Sequence, residues 1–206
     1  IVNLDTDRLI RTDDDIHRAV VDWLETLKAE TKYGHIKDWD VSRVTNMQRL
    51  FKNKRTFNVD ISNWDVSNVT DMEGMFQRVH AFNCPIGNWN VSKVTNMGAM
   101  FRNTQLFNQP IGNWDVSEVT NMGYMFNHAQ NFNQPIGEWN VSKVTNMQGM
   151  FLRAQSFNQS INNWDISNVT DRFEMFAGCP ISSSNKPAFK CPVCLDVYPE
   201  KAQYII

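Results

Sequence analysis

Twenty basic residues against twenty-two acidic ones give a formal net charge of −2 in a chain of 206 residues. That balance excludes the strongly basic footprint of a bulk nucleic-acid or anionic-membrane binder, and no apolar run approaches the roughly 18 residues of a membrane-spanning helix. Four cysteines, three of them after residue 178, are too few and too clustered for a disulfide framework.

Residues 1–11 carry no pattern. From Thr12 the sequence predicts a helix: T-D-D-D precedes Ile16, Ala19, Val20, Trp23, Leu24 and Leu27, which share one face at helical spacing. Asp13–Asp15 suit the positive end of the helix dipole, and Lys28 the negative end. The helix is expected over Ile16–Thr31. Its apolar face needs a partner, and the open end of the array that follows supplies one. Residues 1–35 are therefore read as an N-terminal cap, with Tyr33 and Gly34 turning into the first coil.

From Ile36 a single string recurs every 25 residues, with isoleucines at Ile36, Ile61, Ile86, Ile111, Ile136 and Ile161, and tryptophans at Trp39, Trp64, Trp89, Trp114, Trp139 and Trp164. A fixed period of this length predicts a solenoid, because no unit can bury its own apolar face. The expected fold class is a leucine-rich-repeat-like α/β repeat solenoid over residues 36–185, six 25-residue coils each with a short strand and a short helix.

Within a unit, I-x-x-W-[DN]-[VI]-S-x-V reads as the strand. In it Trp89 and Val91 point inward while Asn88, Asn90 and Ser92 point out. T-[ND]-M-x-x-M-F reads as the helix, with Met122, Met125, Phe126 and Ala129 at i, i+3, i+4 and i+7 and Thr120 or Asn121 as its cap. F-N-x-P-I is the return: Phe107 re-enters the core, Asn108 bonds its own backbone and Pro110 stiffens the turn. Asn58, Asn83, Asn108, Asn133 and Asn158 are expected as an internal ladder at a corner that water does not reach.

The terminal units deviate. In the first, Leu50 replaces Met, and Lys54 stands where later units have Val79, Thr104, Ala129 and Ala154. In the last, Arg172 replaces Met and Ser182–Ser183 replaces the Phe-Asn pair, the polar ending a terminal unit requires. Ser182–Lys186 reads as a linker and residues 186–206 as a tail.

No catalytic site is legible. His17, His35, His80 and His128 share no repeat position with a carboxylate or Cys, and the serine row from Ser42 to Ser167 has no base beside it. The outward rows carry more information. One runs Asp40, Asp65, Asn90, Asp115, Asn140, Asp165, and the next runs Arg43, Asn68, Lys93, Glu118, Lys143, Asn168. Two readings stand side by side: a solvated surface whose Asx side chains bond local backbone, and a polar, mildly acidic docking face for a protein or glycan. On the second reading the partner-binding face comprises Asp40, Asp65, Asn90, Lys93, Asp115, Glu118, Asn140, Lys143 and Asp165. Calcium along the Asp row lacks the clustered oxygens that ion demands.

The string I-x-x-W-D-V-S-x-V-T-N-M-x-x-M-F-x-x-A-x-x-F-N-Q-P resembles the BspA-like leucine-rich-repeat family, in its mycoplasma-type 25-residue surface-protein branch, from Ile36 to about Cys179. Y-G-H-I-K-D-W-D at Tyr33–Asp40 is similar to the family's N-terminal cap. The match departs from the common leucine-rich repeat in placing Trp and Val at leucine positions and Val69 where Asn or Cys stands. The resemblance implies a right-handed β-solenoid with a strand on one face, and a role in adhesion or protein binding at a cell or virion surface. It carries over no catalytic residue.

The tail segment Cys191-Pro192-Val193-Cys194-Leu195-Asp196 is similar to the opening of a RING-type zinc finger, of which it holds only the first two ligands. Zinc at Cys191 and Cys194, a plain reduced pair and a redox pair all fit a lone C-x-x-C; no other cofactor is expected. The expected function is a non-enzymatic protein-interaction or adhesion module on a cell or particle surface, with no nucleic-acid partner and no membrane insertion. The alternatives are the substrate-recruiting solenoid of an intracellular RING-type ubiquitin ligase, and a structural spacer of a larger assembly.

Overall fold

A computed structural model describes residues 9–26 and 29–188. Successive 25-residue coils lie on one another in register. Parallel bridges link Asn46, Asp71, Asn96, Asn121, Asn146 and Asp171 in a continuous run. Beside them, the N–H groups of Thr70, Thr95, Thr120, Thr145 and Thr170 each donate to the carbonyl of the threonine one coil earlier, at 2.8–2.9 Å. The period seen in the sequence is thus the period of the hydrogen bonds.

The core is aromatic and columnar. Phe51, Phe76, Phe101, Phe126, Phe151 and Phe176 stack with centroids 5.6–5.8 Å apart. A second column, Phe57 to Phe157, repeats at 5.9–6.2 Å. The two columns touch within each of the first five coils at 3.8–4.2 Å. The tryptophans close the other side, and Phe76 meets Trp89 across the interior at 6.3 Å. Each buried aromatic hides about 150–250 Å², an upper bound of ~4–6 kcal/mol apiece. From Trp64 onward, each indole N–H donates to the isoleucine carbonyl 28 residues before it, at 2.9–3.3 Å. The largest side chain of each coil therefore also ties that coil to its neighbour.

The short helix expected in each coil, and the short strand expected in coils two to six, are replaced by turns. In W-[DN]-V-S-x-V the Asx side chain takes the serine N–H two residues on, as Asp65 Oδ1 does from Ser67 N–H at 3.0 Å. Trp64 N–H turns back to Ile61 O, and Val69 N–H to Val66 O. With those donors spent locally, no ladder forms there. The inward set is nonetheless the expected one, since Trp89 and Val91 are buried and Asn88 and Asn90 exposed. In T-[ND]-M-x-x-M-F, alternate N–H groups leave the coil: Met72, Gly74, Phe76 and Arg78 donate to Asn96, Gly98, Met100 and Arg102 of the next one. Those are donors an α-helix would need for itself. The remaining ones close i−3 turns, such as Met75 to Met72 and Val79 to Phe76. The backbone thereby accepts left-handed φ values at non-glycine residues, +58° at Tyr124 and +60° at Arg78. Each costs about 1 kcal/mol or more, and persists because bonds from both neighbouring coils over-determine it.

The N-terminal end is sealed by three contacts. Strand β1 (Ile10–Thr12) pairs in parallel with β2 (Asp40–Arg43), the only coil segment among the described residues that is a true strand. Helix α1 (Ile16–Glu25) buries Ile16, Ala19 and Val20, and α2 (Ala29–Tyr33) follows. The single helix expected over Ile16–Thr31 is thus two: α1 ends where Thr26 turns extended and its hydroxyl bonds Asp22 O. Leu27 and Lys28 lie outside the described residues. Arg11 is 3% exposed, pairs with Asp15, and lies over the rings of Tyr33 and Trp39 at 5.2 and 5.3 Å. A guanidinium thus finishes the tryptophan column.

Asp13 does for the backbone what Arg11 does for the rings. Its carboxylate accepts the N–H groups of Thr45 and Asn46 and the Thr45 hydroxyl, at 2.6–3.0 Å. These are the bonds a preceding threonine carbonyl would accept. Partial burial pushes the Asp13 pKa up, but the three hydrogen bonds outweigh it and hold the carboxyl below its ordinary value. Lys54, the odd residue of coil one, reaches Glu25 of α1 at 2.7 Å.

The C-terminal end is less polar than its sequence predicts. Phe173 is 66% exposed, and half-buried Phe176 is covered by the Lys186 ammonium 5.5 Å from its ring centroid. Ser182–Lys186 is not a linker. It forms a turn on coil six in which Asn185 O accepts from Ile161 N–H at 2.9 Å and Asn185 Nδ2 donates to Asn158 O at 2.8 Å.

Candidate interaction face

All nine residues of the predicted face, Asp40, Asp65, Asn90, Lys93, Asp115, Glu118, Asn140, Lys143 and Asp165, are exposed. They fall on two adjacent rows because register holds each residue over its counterpart one coil away, about 4.8 Å along the stack. Much of their bonding capacity is already used. Asp40, Asp65, Asn90, Asp115, Asn140 and Asp165 each accept the serine N–H two residues on, at 2.9–3.2 Å. The hydroxyls of Ser42, Ser67 and Ser117, and then their N–H groups, hold the carboxyls of Asp40, Asp65 and Asp115 below the usual aspartate value. This row shapes the turn and remains charged at the surface.

The second row is freer. Lys143 pairs with Glu118 at 2.6 Å and Lys93 reaches Asn68 Oδ1 at 2.7 Å. Asn68 and Asn168 donate to Ser42 O and Ser142 O one coil earlier. The Lys143 and Glu118 side chains are 54% and 51% exposed, so their pairing is worth under ~1 kcal/mol and a partner can displace it.

The Phe-Asn-Gln-Pro corners have another task. Asn58, Asn83, Asn108 and Asn133 each accept, through Oδ1, the N–H of the asparagine one coil later, at 2.8–3.0 Å, and Asn158 accepts from Ser182. The ladder thus runs between coils rather than onto each residue's own backbone. It is also reached by water, since Asn58, Asn83 and Asn158 are exposed. A second asparagine ladder escaped sequence reading: Asn121 Nδ2 donates to Asn96 Oδ1 at 2.9 Å, and Asn96 Nδ2 to Asp71 Oδ2 at 3.3 Å. Its signal is the T-[ND] pair shared by all six units, which also fits a helix cap.

Among the described residues no group of three or more His, Cys, Asp or Glu could hold a metal ion, and no helix is long and apolar enough to cross a membrane. Cys84 and Cys179 are free thiols. Burial pushes the Cys84 thiol up to about 11, with Asp60 adding to the shift. Cys191 and Cys194 lie outside the described residues.

The turn side of the coils, just after the rows in each unit, carries a cluster that sequence reading also missed. Arg49, Lys52, Arg102 and Tyr124 line an open groove of about 430 Å³, floored by Gly98 and Gly123. Arg49 and Tyr124 share one repeat position and Lys52 and Arg102 another, but other coils fill those positions with unlike residues such as Gly74, Gln77 and Asn127, so neither row stands out as a pattern.

A sequence profile of the family described as "Mycoplasma protein of unknown function, DUF285" matches residues 22–113 and, again, 85–189. No curated protein and no solved structure matches.

Proposed function

We propose, from the premise that this chain belongs to the mycoplasma protein family DUF285, that it is a non-enzymatic interaction module whose exposed rows dock a protein partner. The observation that carries this reading is the charge on the second row. Arg43, Asn68, Lys93, Glu118, Lys143 and Asn168 stand in register on one surface, yet differ from coil to coil. A residue needed only to build the coil would repeat, as the tryptophans and the corner asparagines do. Variation on a rigid lattice makes a patterned surface, which is what selective recognition requires. The resemblance to BspA-like surface proteins points to adhesion at a cell or particle surface as the setting.

The test is capture of partners from a cell-surface extract with immobilised wild-type protein and with the double variant Lys93→Glu, Lys143→Glu. A partner docked on the rows is lost or weakened by about 1–3 kcal/mol in the double variant, mainly through its association rate. Thermal stability stays unchanged, since both lysines are exposed. A partner indifferent to this change but lost on altering Gln109 and Gln134 places binding at the corners and overturns the reading.

A further inference from the structure

We infer that the groove on the turn side of coils one to five is a binding site for an extended sulfated polysaccharide. It is separate from the rows, with none of the nine row residues in its lining.

The groove exists because two coils lack a side chain at one position. Gln48 and Glu73 occupy it in coils one and two and Gln148 in coil five, but Gly98 and Gly123 stand there in coils three and four. A Cβ on Gly98 would sit 2.8 Å from Asn121 Nδ2, and one on Gly123 would sit 2.9 Å from Asn146 Nδ2. The asparagine ladder therefore forms the floor with bare backbone beside it. Asn146 Oδ1 is spent on Gln148 N–H, while its Nδ2 has no acceptor among the described residues.

Positive charge collects around this trough and is only partly balanced. Arg49 pairs with Glu73 at 2.8 Å. Lys52 and Arg102 have no carboxylate partner among the described residues, and Arg102 Nε is buried without an acceptor. Arg102 is held in place by the Tyr124 ring, 5.1 Å from its guanidinium carbon, and Gly149 leaves room for that ring. Arg78 and Arg153 stand exposed on the same side of the coils. Their crowding is felt at His128, whose pKa is lowered by burial first and then by Arg153 and Arg102.

The chemistry of the lining selects among polyanions. Asparagine amides and peptide groups pair with sugar hydroxyls, and guanidinium and ammonium groups pair with sulfate oxygens. The single aromatic, Tyr124, already has its ring covered by Arg102, so no platform remains for stacking nucleobases. Apart from Ala99, the groove's lining has no aliphatic side chain to anchor a peptide. The rows are acidic at Asp40, Asp65, Asp115 and Asp165, which repels a duplex broad enough to reach beyond the groove.

Isothermal titration of the full chain with a size-defined heparin octasaccharide tests the site. Its desulfated counterpart, polyglutamate and a single-stranded oligonucleotide serve as competitors. The sulfated octasaccharide is expected to bind, and the His128 ring resonances to move with it. Arg102→Gln and Lys52→Glu should each weaken it about tenfold, the loss of one charge-assisted contact. Lys93→Glu with Lys143→Glu should leave it unchanged. Arg102 is partly structural, so Lys52→Glu decides the matter if Arg102→Gln lowers the melting temperature. Absence of binding, full affinity in Lys52→Glu, or equal affinity for polyglutamate or the oligonucleotide overturns the assignment.

Discussion

Replacing Trp114 with Ala removes the largest side chain from the middle of the stack. Trp114 is 3% exposed, its ring lies 6.3 Å from that of Phe101, and its indole N–H donates to Ile86 O at 3.2 Å. Truncation of a buried aromatic costs about 3–5 kcal/mol, since neighbours fixed in register cannot collapse into the cavity. The orphaned Ile86 carbonyl adds to this by about 1–3 kcal/mol, toward the low end if water enters the cavity. Trp114→Phe separates the two terms: it keeps a ring and loses the donor, and should cost about 1–2 kcal/mol. Asp115→Ala on the next residue removes only an exposed acceptor for Ser117 N–H, which water replaces, at under ~1 kcal/mol. Urea unfolding followed by far-ultraviolet circular dichroism measures all three. Because each coil contacts only its neighbours, a central lesion weakens two interfaces at once. A loss for Asp115→Ala equal to that for Trp114→Ala, or a Trp114→Phe variant as stable as wild type, would refute the reasoning.

Three further outcomes follow from the ends and the interior. Asp13→Asn should cost about 1 kcal/mol at neutral pH, as for a lost helix cap at an exposed site. The folded Asp13 pKa lies below its unfolded value, so this stability is present above the unfolded pKa and is lost as pH falls through the folded one. The gap between wild type and variant should therefore close on acidification, and a gap that persists at pH 2 would mean that the carboxylate charge is not responsible. Deleting residues 1–31 exposes the end of the stack together with Trp39, and should produce association visible by light scattering; a monodisperse, equally stable product would show that α1 is no cap. Cys84, with its thiol pushed up to about 11, should resist iodoacetamide at pH 8 in the folded protein and react on denaturation; rapid labelling of the native state would contradict its burial.

What the sequence determined by itself is the period and the buried set. Repetition at 25 residues places each tryptophan, phenylalanine and methionine in a column with its copies, and hydrophobic burial is non-directional, so the pattern alone names what is inside. The exposed rows were legible for the same reason: whatever is not needed inside repeats loosely outside. Hydrogen bonding is directional, and there local spacing misled. M-x-x-M-F has the apolar period of a helix and W-D-V-S that of a strand. Yet Met72, Gly74, Phe76 and Arg78 give their N–H groups to the next coil, and Ser67 gives its own to Asp65. A donor can serve one acceptor well, and only the stacked neighbour, absent from any local window, decides which. The turn-side groove is a product of the stack as well: Arg49, Lys52, Arg102 and Tyr124 come from three coils and two repeat positions that other coils fill with unlike residues, and only register brings them together. The caps at Arg11 and Asp13 follow the same rule, since a guanidinium over Trp39 and a carboxylate on Thr45 acquire meaning only at the point where the preceding coil would have been.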